Sequence, residues 1–170
     1  HSSGANVYVY NLLVQNSSTQ RVFSVTSNGG INGGIGNSMN STVWNGAGVV
    51  FGSSNTVTSN YSVVSGGVGN TASTNDAVTI GGGGYNSGNA FYATIPGGLY
   101  ASASKYGQMA HASGRFASGG DAQVSEYLLR NATTNATATP LYLDGASYTL
   151  NLSNNFTYDC HVKVTARQSA

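Results

Sequence analysis

Acid–base chemistry has little to work with in this chain. Its 170 residues carry five carboxylates, Asp76, Asp121, Glu126, Asp144 and Asp159, and two histidines beyond the first residue, His111 and His161. Two carboxylates flanking a scissile bond would serve glycoside hydrolysis. Asp121 and Glu126 are a pair of that kind, and with His111 they could build a site between chains. Arg115 and Arg130 flank them, however, and ion pairs or turn hydrogen bonds at a structural junction are the plainer role for all four residues. Asp76 precedes a valine-led strand and reads as a turn residue. No Ser-His-Asp set can be assembled from the spacing. No cofactor is expected, and no metal site beyond a weak one that three copies of His111 would form on a symmetry axis. His161 lies beside Cys160, and neighbours on a strand point to opposite faces, so the two are not a ligand pair. Cys160, the one cysteine, reads as a small buried residue on a strand.

Glycine-rich stretches raise the question of a phosphate cradle. The chain has no G-x-x-x-x-G-K-[ST] motif. Gly67-Val68-Gly69-Asn70-Thr71-Ala72 fits G-x-G-x-x-A, but that fingerprint requires a following helix and an acid about twenty residues on. Another glycine run, Gly81 to Gly84, follows instead, and no acid stands near residue 92. Nucleotide binding is not expected.

Tyrosines are the better candidates for contact with a ligand. Tyr61, Tyr85, Tyr92, Tyr100 and Tyr106 fall at or near the corners of a repeated unit. Surface tyrosines among Asn and Ser offer a flat ring and polar edges to a sugar. The alternative is an aromatic ladder that stabilises the side of a stacked structure. Both readings stay open at this level.

These residues sit in an unusual composition. Charged residues make up 6% of the chain, against roughly 25% in an average domain. The formal net charge is +1, which gives nucleic acid or an anionic membrane no electrostatic hold. No stretch approaches the ~20 apolar residues of a membrane span, so neither nucleic-acid binding nor membrane insertion is expected. Eleven tyrosines and five phenylalanines, with many β-branched residues, favour strands. Gly, Asn and Ser favour the turns between them. The composition predicts an all-β chain.

A repeat organises it. Four consecutive blocks of fifteen begin at Val63, Val78, Ala93 and Gln108, and a fourteen-residue version begins at Val49. The first four units open on alternating triplets, at Val49-Phe51, Val63-Ser65, Val78-Ile80 and Ala93-Ile95. A glycine or Pro-Gly follows, at Gly52, Gly66, Gly81 and Pro96-Gly97. Small residues recur at Ser59, Ser73, Gly88, Ala103 and Ser118. A period of fifteen is too short for helical repeats and suits two short strands with two tight turns, stacked rung on rung. One such coil buries little core alone. Three side by side would bury their inner faces together, so a homotrimer is expected.

The units VVSGGVGNTAS and VTIGGGGYNSG resemble the rungs of the left-handed β-roll in YadA-like trimeric autotransporter adhesin heads, over about residues 49–118. The segment 107–145, with Ala112-Ser113-Gly114, Phe116-Ala117, Gly120-Asp121-Ala122-Gln123, Ser125, Leu129-Arg130, Thr133-Thr134, Ala136-Thr137 and Leu143-Asp144-Gly145, is similar to a module of bacteriophage tail-fibre and related virion proteins. VKVTARQ at 162–168 resembles the strand that closes that module. The resemblance implies a homotrimeric β-roll followed by a small C-terminal antiparallel β-domain, located on a virion and outside the cell. It also implies partnership with other virion proteins.

The organisation expected is a tag remnant at 1–4, a β lead-in at 5–48, β-roll repeats at 49–118 and a C-terminal β-domain at 119–170. Within the lead-in, 28–38 reads as a loop, with Ile31 and Ile35 as an alternative start of the roll. QVSEYLLRN, TPLYLDG, SYTLNLS and FTYDCHVKVTAR read as four strands, with a hairpin turn at Asp144-Gly145. A helix capped by Asp121 is the alternative for the first. The function expected is a non-catalytic structural fibre or spike protein displaying a binding surface for a host-cell glycan or protein receptor. The alternatives are a capsid decoration or cement protein of the same architecture, and a tailspike polysaccharide depolymerase.

Overall fold

The computed structural model describes residues 12–18, 20–26, 29–39, 48–73, 77–154 and 156–167. Residues 1–4 and Asp76 lie outside them. The described chain is all-β. A hairpin of β1 (Leu12–Gln15) and β2 (Arg21–Val25) leads into the stack. Rungs then follow in order. β3 (Ile31–Gly33) and β4 (Ser38–Met39) make the first, β5 (Val49–Val50) and β6 (Thr56–Val57) the second, and β7 (Val63–Val64) and β8 (Thr71–Ala72) the third. β9 (Thr79–Ile80) and β10 (Ser87–Gly88) make the fourth, and β11 (Thr94–Ile95), β12 (Gly98–Leu99) and β13 (Ser102–Ala103) the fifth. β14 (Met109–Ser113) closes the stack, and β15 (Gln123–Glu126) runs antiparallel to it.

Rung-to-rung pairing is parallel in two sheets. One carries β3, β5, β7, β9, β11 and β14, and the other β4, β6, β8, β10 and β13. The molecule is thus a β-solenoid of about five turns. It begins at Ile31, which pairs with Val49, so the Ile31 and Ile35 region is a rung rather than a loop.

A narrow core runs between the sheets, and its layers are complementary. Val50, Val64, Ile80 and Ile95 point inward from one sheet and Val57, Ala72, Gly88 and Ala103 from the other, all essentially buried. Where the second series is smallest, at Gly88, the first has changed from valine to isoleucine at Ile80. A Cβ at Gly88 would run into the Val78 side chain and come within 3.9 Å of Ile80. This is the interlocking that close-packed interiors require.

The register differs from a strict count of fifteen. Val63 pairs with Thr79, not Val78, so that rung has an extra residue. Inward residues must stack on inward residues, and a slip of one would turn the whole set to solvent. Val64 therefore aligns with Ile80, while Phe51 and Ser65 face out. The turn glycines also move. The column is Gly34, Gly52, Gly67, Gly83 and Gly98, each at positive φ. A Cβ on Gly67 would overlap the Gly83 carbonyl oxygen, so this column tolerates no side chain.

The C-terminal third departs most from expectation. Beyond β15 it forms one isolated bridge, Arg130 with Tyr142, and no strand is assigned among the described residues of 127–167. Asp121 caps no helix, because it accepts from amides that precede it. The turn at Asp144-Gly145 is wider than a two-residue hairpin, with the Leu143 amide donating to Tyr148 O. Cys160 is exposed rather than buried. Strands need a partner, and among the described residues no backbone pairing reaches 156–167, all of which are exposed.

Candidate functional site

The corners of the solenoid hold the side chains of interest. An asparagine stands at one corner of successive rungs, Asn37, Asn55, Asn70 and Asn86, the first partly buried and the other three buried. Each Oδ1 accepts from the backbone amide of the equivalent residue one rung on, at 2.9, 2.7, 3.0 and 2.8 Å, ending on Ala101. Each Nδ2 donates to a carbonyl of its own rung and to one of the next. The ladder satisfies amides that face inward at a turn, where no strand can reach them. Sequence reasoning missed it, although a recurring asparagine after a small or aromatic residue was there to be read.

The residue before each ladder position must take left-handed backbone geometry. That column is Gly36, Ser54, Gly69, Tyr85 and Tyr100, with φ from 53 to 70°. A second left-handed column, at the opposite turn, is Tyr61, Ala77, Tyr92 and Gly107. Left-handed geometry costs an L-residue about 1–2 kcal/mol. Four of the five candidate tyrosines therefore occupy positions where glycine is the relaxed choice.

The rings form two groups. Tyr85 stacks on Tyr100 with centroids 5.2 Å apart and planes at 14°. The far face of Tyr85 covers Gly69, where a Cβ would come within 2.7 Å of the ring. On the other side Arg115 lies 3.9 Å over the Tyr100 centroid, as a cation–π contact. In the second group Tyr92 meets Tyr106 edge-on at 5.4 Å, Phe91 lies 6.4 Å from Tyr92, and Tyr106 stacks on Tyr148 at 5.0 Å. This group ties the C-terminal segment to the solenoid. Tyr61 stands outside both groups and is 58% exposed. Ladder and exposed surface thus coexist. The faces of Tyr85 and Tyr100 are occupied, leaving ring edges and hydroxyls, while Tyr92 is 58% exposed.

The junction residues do not act as paired charges. Asp121 accepts from the amides of Phe116, Ala117 and Ser118 at 2.9, 2.6 and 2.7 Å. The Ser118 and Ala117 amides contribute most to holding its carboxyl below the usual range, with a smaller pull from the Arg115 charge. Arg130 donates to the Asp144 carbonyl at 2.8 Å. Asp144 accepts from the amides of Ser147, Ala146 and Tyr148, the first contributing most, and they keep it well below the carboxylate range. Glu126 and His111 are exposed on β15 and β14. Among the described residues no three of His, Cys, Asp and Glu stand close enough to hold a metal. A shallow cleft of about 410 Å³ near the first rung is lined by Gln20, Asn32, Gly34, Ile35, Gly36 and Asn37, none of them ionisable. Compared with family models, curated proteins and solved structures, the chain finds no match.

Proposed function

We propose that this chain is a structural segment of a homotrimeric virion fibre or spike, which displays a receptor-binding surface for host-cell glycans and catalyses no reaction. The observation that carries the reading is the placement of tyrosine at strained corners. Tyr61, Tyr85 and Tyr92 take positive φ and are all more than half exposed. Strain at exposed positions with an unstrained alternative points to use rather than stability. Tyr61 makes the case most clearly, since among the described residues no ring contact offsets its cost.

Two features support assembly with other copies. An apolar column, Ile31, Val49 and Val63, continues along the outer side of one sheet in register through Thr79, Thr94 and Met109. The tail then exposes Phe156, Tyr158, Cys160, Val162 and Val164 in strict alternation, the pattern of a strand awaiting a partner. A parallel trimer would bring equivalent rungs together and supply that partner. The depolymerase alternative draws no support from Asp121, whose carboxylate is committed to three backbone amides.

Light scattering tests the assembly, with a particle of three times 17.3 kDa expected. A 17.3 kDa monomer would remove the trimer. Labelled protein binding to host cells, and losing that binding in Tyr61→Asn and Tyr92→Asn, tests the receptor surface. Binding to empty capsids while ignoring cells would favour the decoration role instead.

A further inference from the structure

We infer that the corner made by Tyr100, Arg115 and Phe116 takes a carboxylate-bearing saccharide, a uronate or sialate unit. This rests on the reading of the fibre as a glycan binder and narrows its ligand. The Arg115 Cζ lies over the Tyr100 ring, 3.9 Å from its centroid. That contact holds the guanidinium at the corner by its π-face partner rather than through its N–H donors. Among the described residues no hydrogen bond engages this guanidinium. A planar fork of donors held in one orientation is what binds a carboxylate in bidentate fashion.

The next residue, Phe116, is 89% exposed, well above the other aromatic side chains of the described chain. Its ring is therefore open to the C–H face of a sugar. Both residues sit on a braced turn. Asp121 gathers the amides of Phe116, Ala117 and Ser118, and the Gly120 amide donates to the Tyr100 carbonyl at 2.8 Å. The turn is thus fastened to the residue that supports Arg115. Arg115 and Phe116 are neighbours on this braced turn, and the backbone that carries them is set before any ligand arrives, which lowers the ordering cost of binding. Asp121 feels the Arg115 charge, and its two oxygens accept three backbone amides of the turn. The N–H donors of the guanidinium are left for a ligand.

Calorimetric titration of the full chain tests this with oligogalacturonate against its methyl ester, and sialyllactose against lactose. At least one acid binds about tenfold or more tightly than its neutral counterpart, a difference of about 1.4 kcal/mol, and the preference weakens with added salt. Arg115→Gln abolishes the preference and Arg115→Lys retains part of it. Phe116→Ala weakens acid and neutral sugar alike, with circular dichroism and particle mass unchanged. Equal binding of acid and neutral forms overturns the carboxylate assignment and leaves the glycan reading standing. No binding to any of the four sugars overturns both. A change of particle mass in Arg115→Gln or Phe116→Ala marks the corner as a contact between copies and overturns the site.

Discussion

Removing one rung of the asparagine ladder should cost more than a surface change and less than the whole fold. Asn70 is fully buried at the ladder's centre. In Asn70→Ala the Asn86 amide loses its acceptor at 3.0 Å, and the Gly66 carbonyl loses its donor at 3.1 Å. The Gly83 carbonyl keeps the Val68 amide, and the Asn55 Oδ1 keeps the residue-70 amide at 2.7 Å. One buried amide left without a partner costs about 1–3 kcal/mol, and the carbonyl adds a smaller amount. The expected loss is therefore about 2–4 kcal/mol, a large part of a typical 5–15 kcal/mol stability.

Urea unfolding followed by far-UV circular dichroism, at fixed protein concentration, reads this as a lower midpoint with unchanged slope. Asn70→Asp sharpens the test. It keeps the acceptor for Asn86 but sets a carboxylate against the Gly66 and Gly83 carbonyls. Burial and repulsion then raise its folded pKa above the unfolded value of about 3.9. The folded state binds the proton more tightly, so this variant is least stable at neutral pH. It recovers as pH falls through the folded pKa. An Asn70→Ala midpoint within about 0.5 kcal/mol of wild type, or an Asn70→Asp variant indifferent to pH, would refute the ladder as a source of stability.

Adjacent glycines make a second contrast. Gly67→Ala forces a Cβ into the Gly83 carbonyl at a positive φ and should prevent folding or lower the midpoint sharply, whereas Gly66→Ala meets nothing within 4 Å and should stay within about 0.5 kcal/mol by the same measurement. At the corners, Asn tolerates left-handed geometry. Tyr61→Asn should leave thermal stability level or slightly raised, while Tyr100→Asn loses the Tyr85 stack and the Arg115 contact and should melt earlier. In acid, Asp121 and Asp144 have depressed folded pKa values, so their contribution is present above about pH 3.9 and lost as pH falls through the folded pKa. The double variant Asp121→Asn, Asp144→Asn should be less stable at pH 7 and show a flatter acid limb in a pH-dependent melt. A limb as steep as wild type would assign acid sensitivity elsewhere.

Much of the solenoid is legible in the residues alone. A period near fifteen, with alternating apolar triplets and punctuating glycines, is enough for stacked short strands, because inward side chains must recur once per rung. Residue order also argues against a phosphate loop, since the glycine run Gly81 to Gly84 follows the G-x-G at Gly67 and no acid stands near residue 92. Tyrosines at Tyr85, Tyr92 and Tyr100 mark corners even before their geometry is known.

Tertiary structure decided register, ladder and tail. Whether Val63 stacks on Val78 or on Thr79 depends on which side chains meet across the core, and that is a property of two sheets together. The Asn55–Asn70–Asn86 column joins residues fifteen and sixteen apart through backbone amides, an exchange invisible to local pattern. In sequence Phe116 is only one position of a module pattern, yet Asp121 turns the chain so that its ring stands in water. The alternation from Phe156 to Val164 is strand pattern, but a strand is defined by its partner, and the described residues do not supply one. Local residue order sets what each segment can form. Long-range hydrogen bonding and packing decide which of those forms is realised.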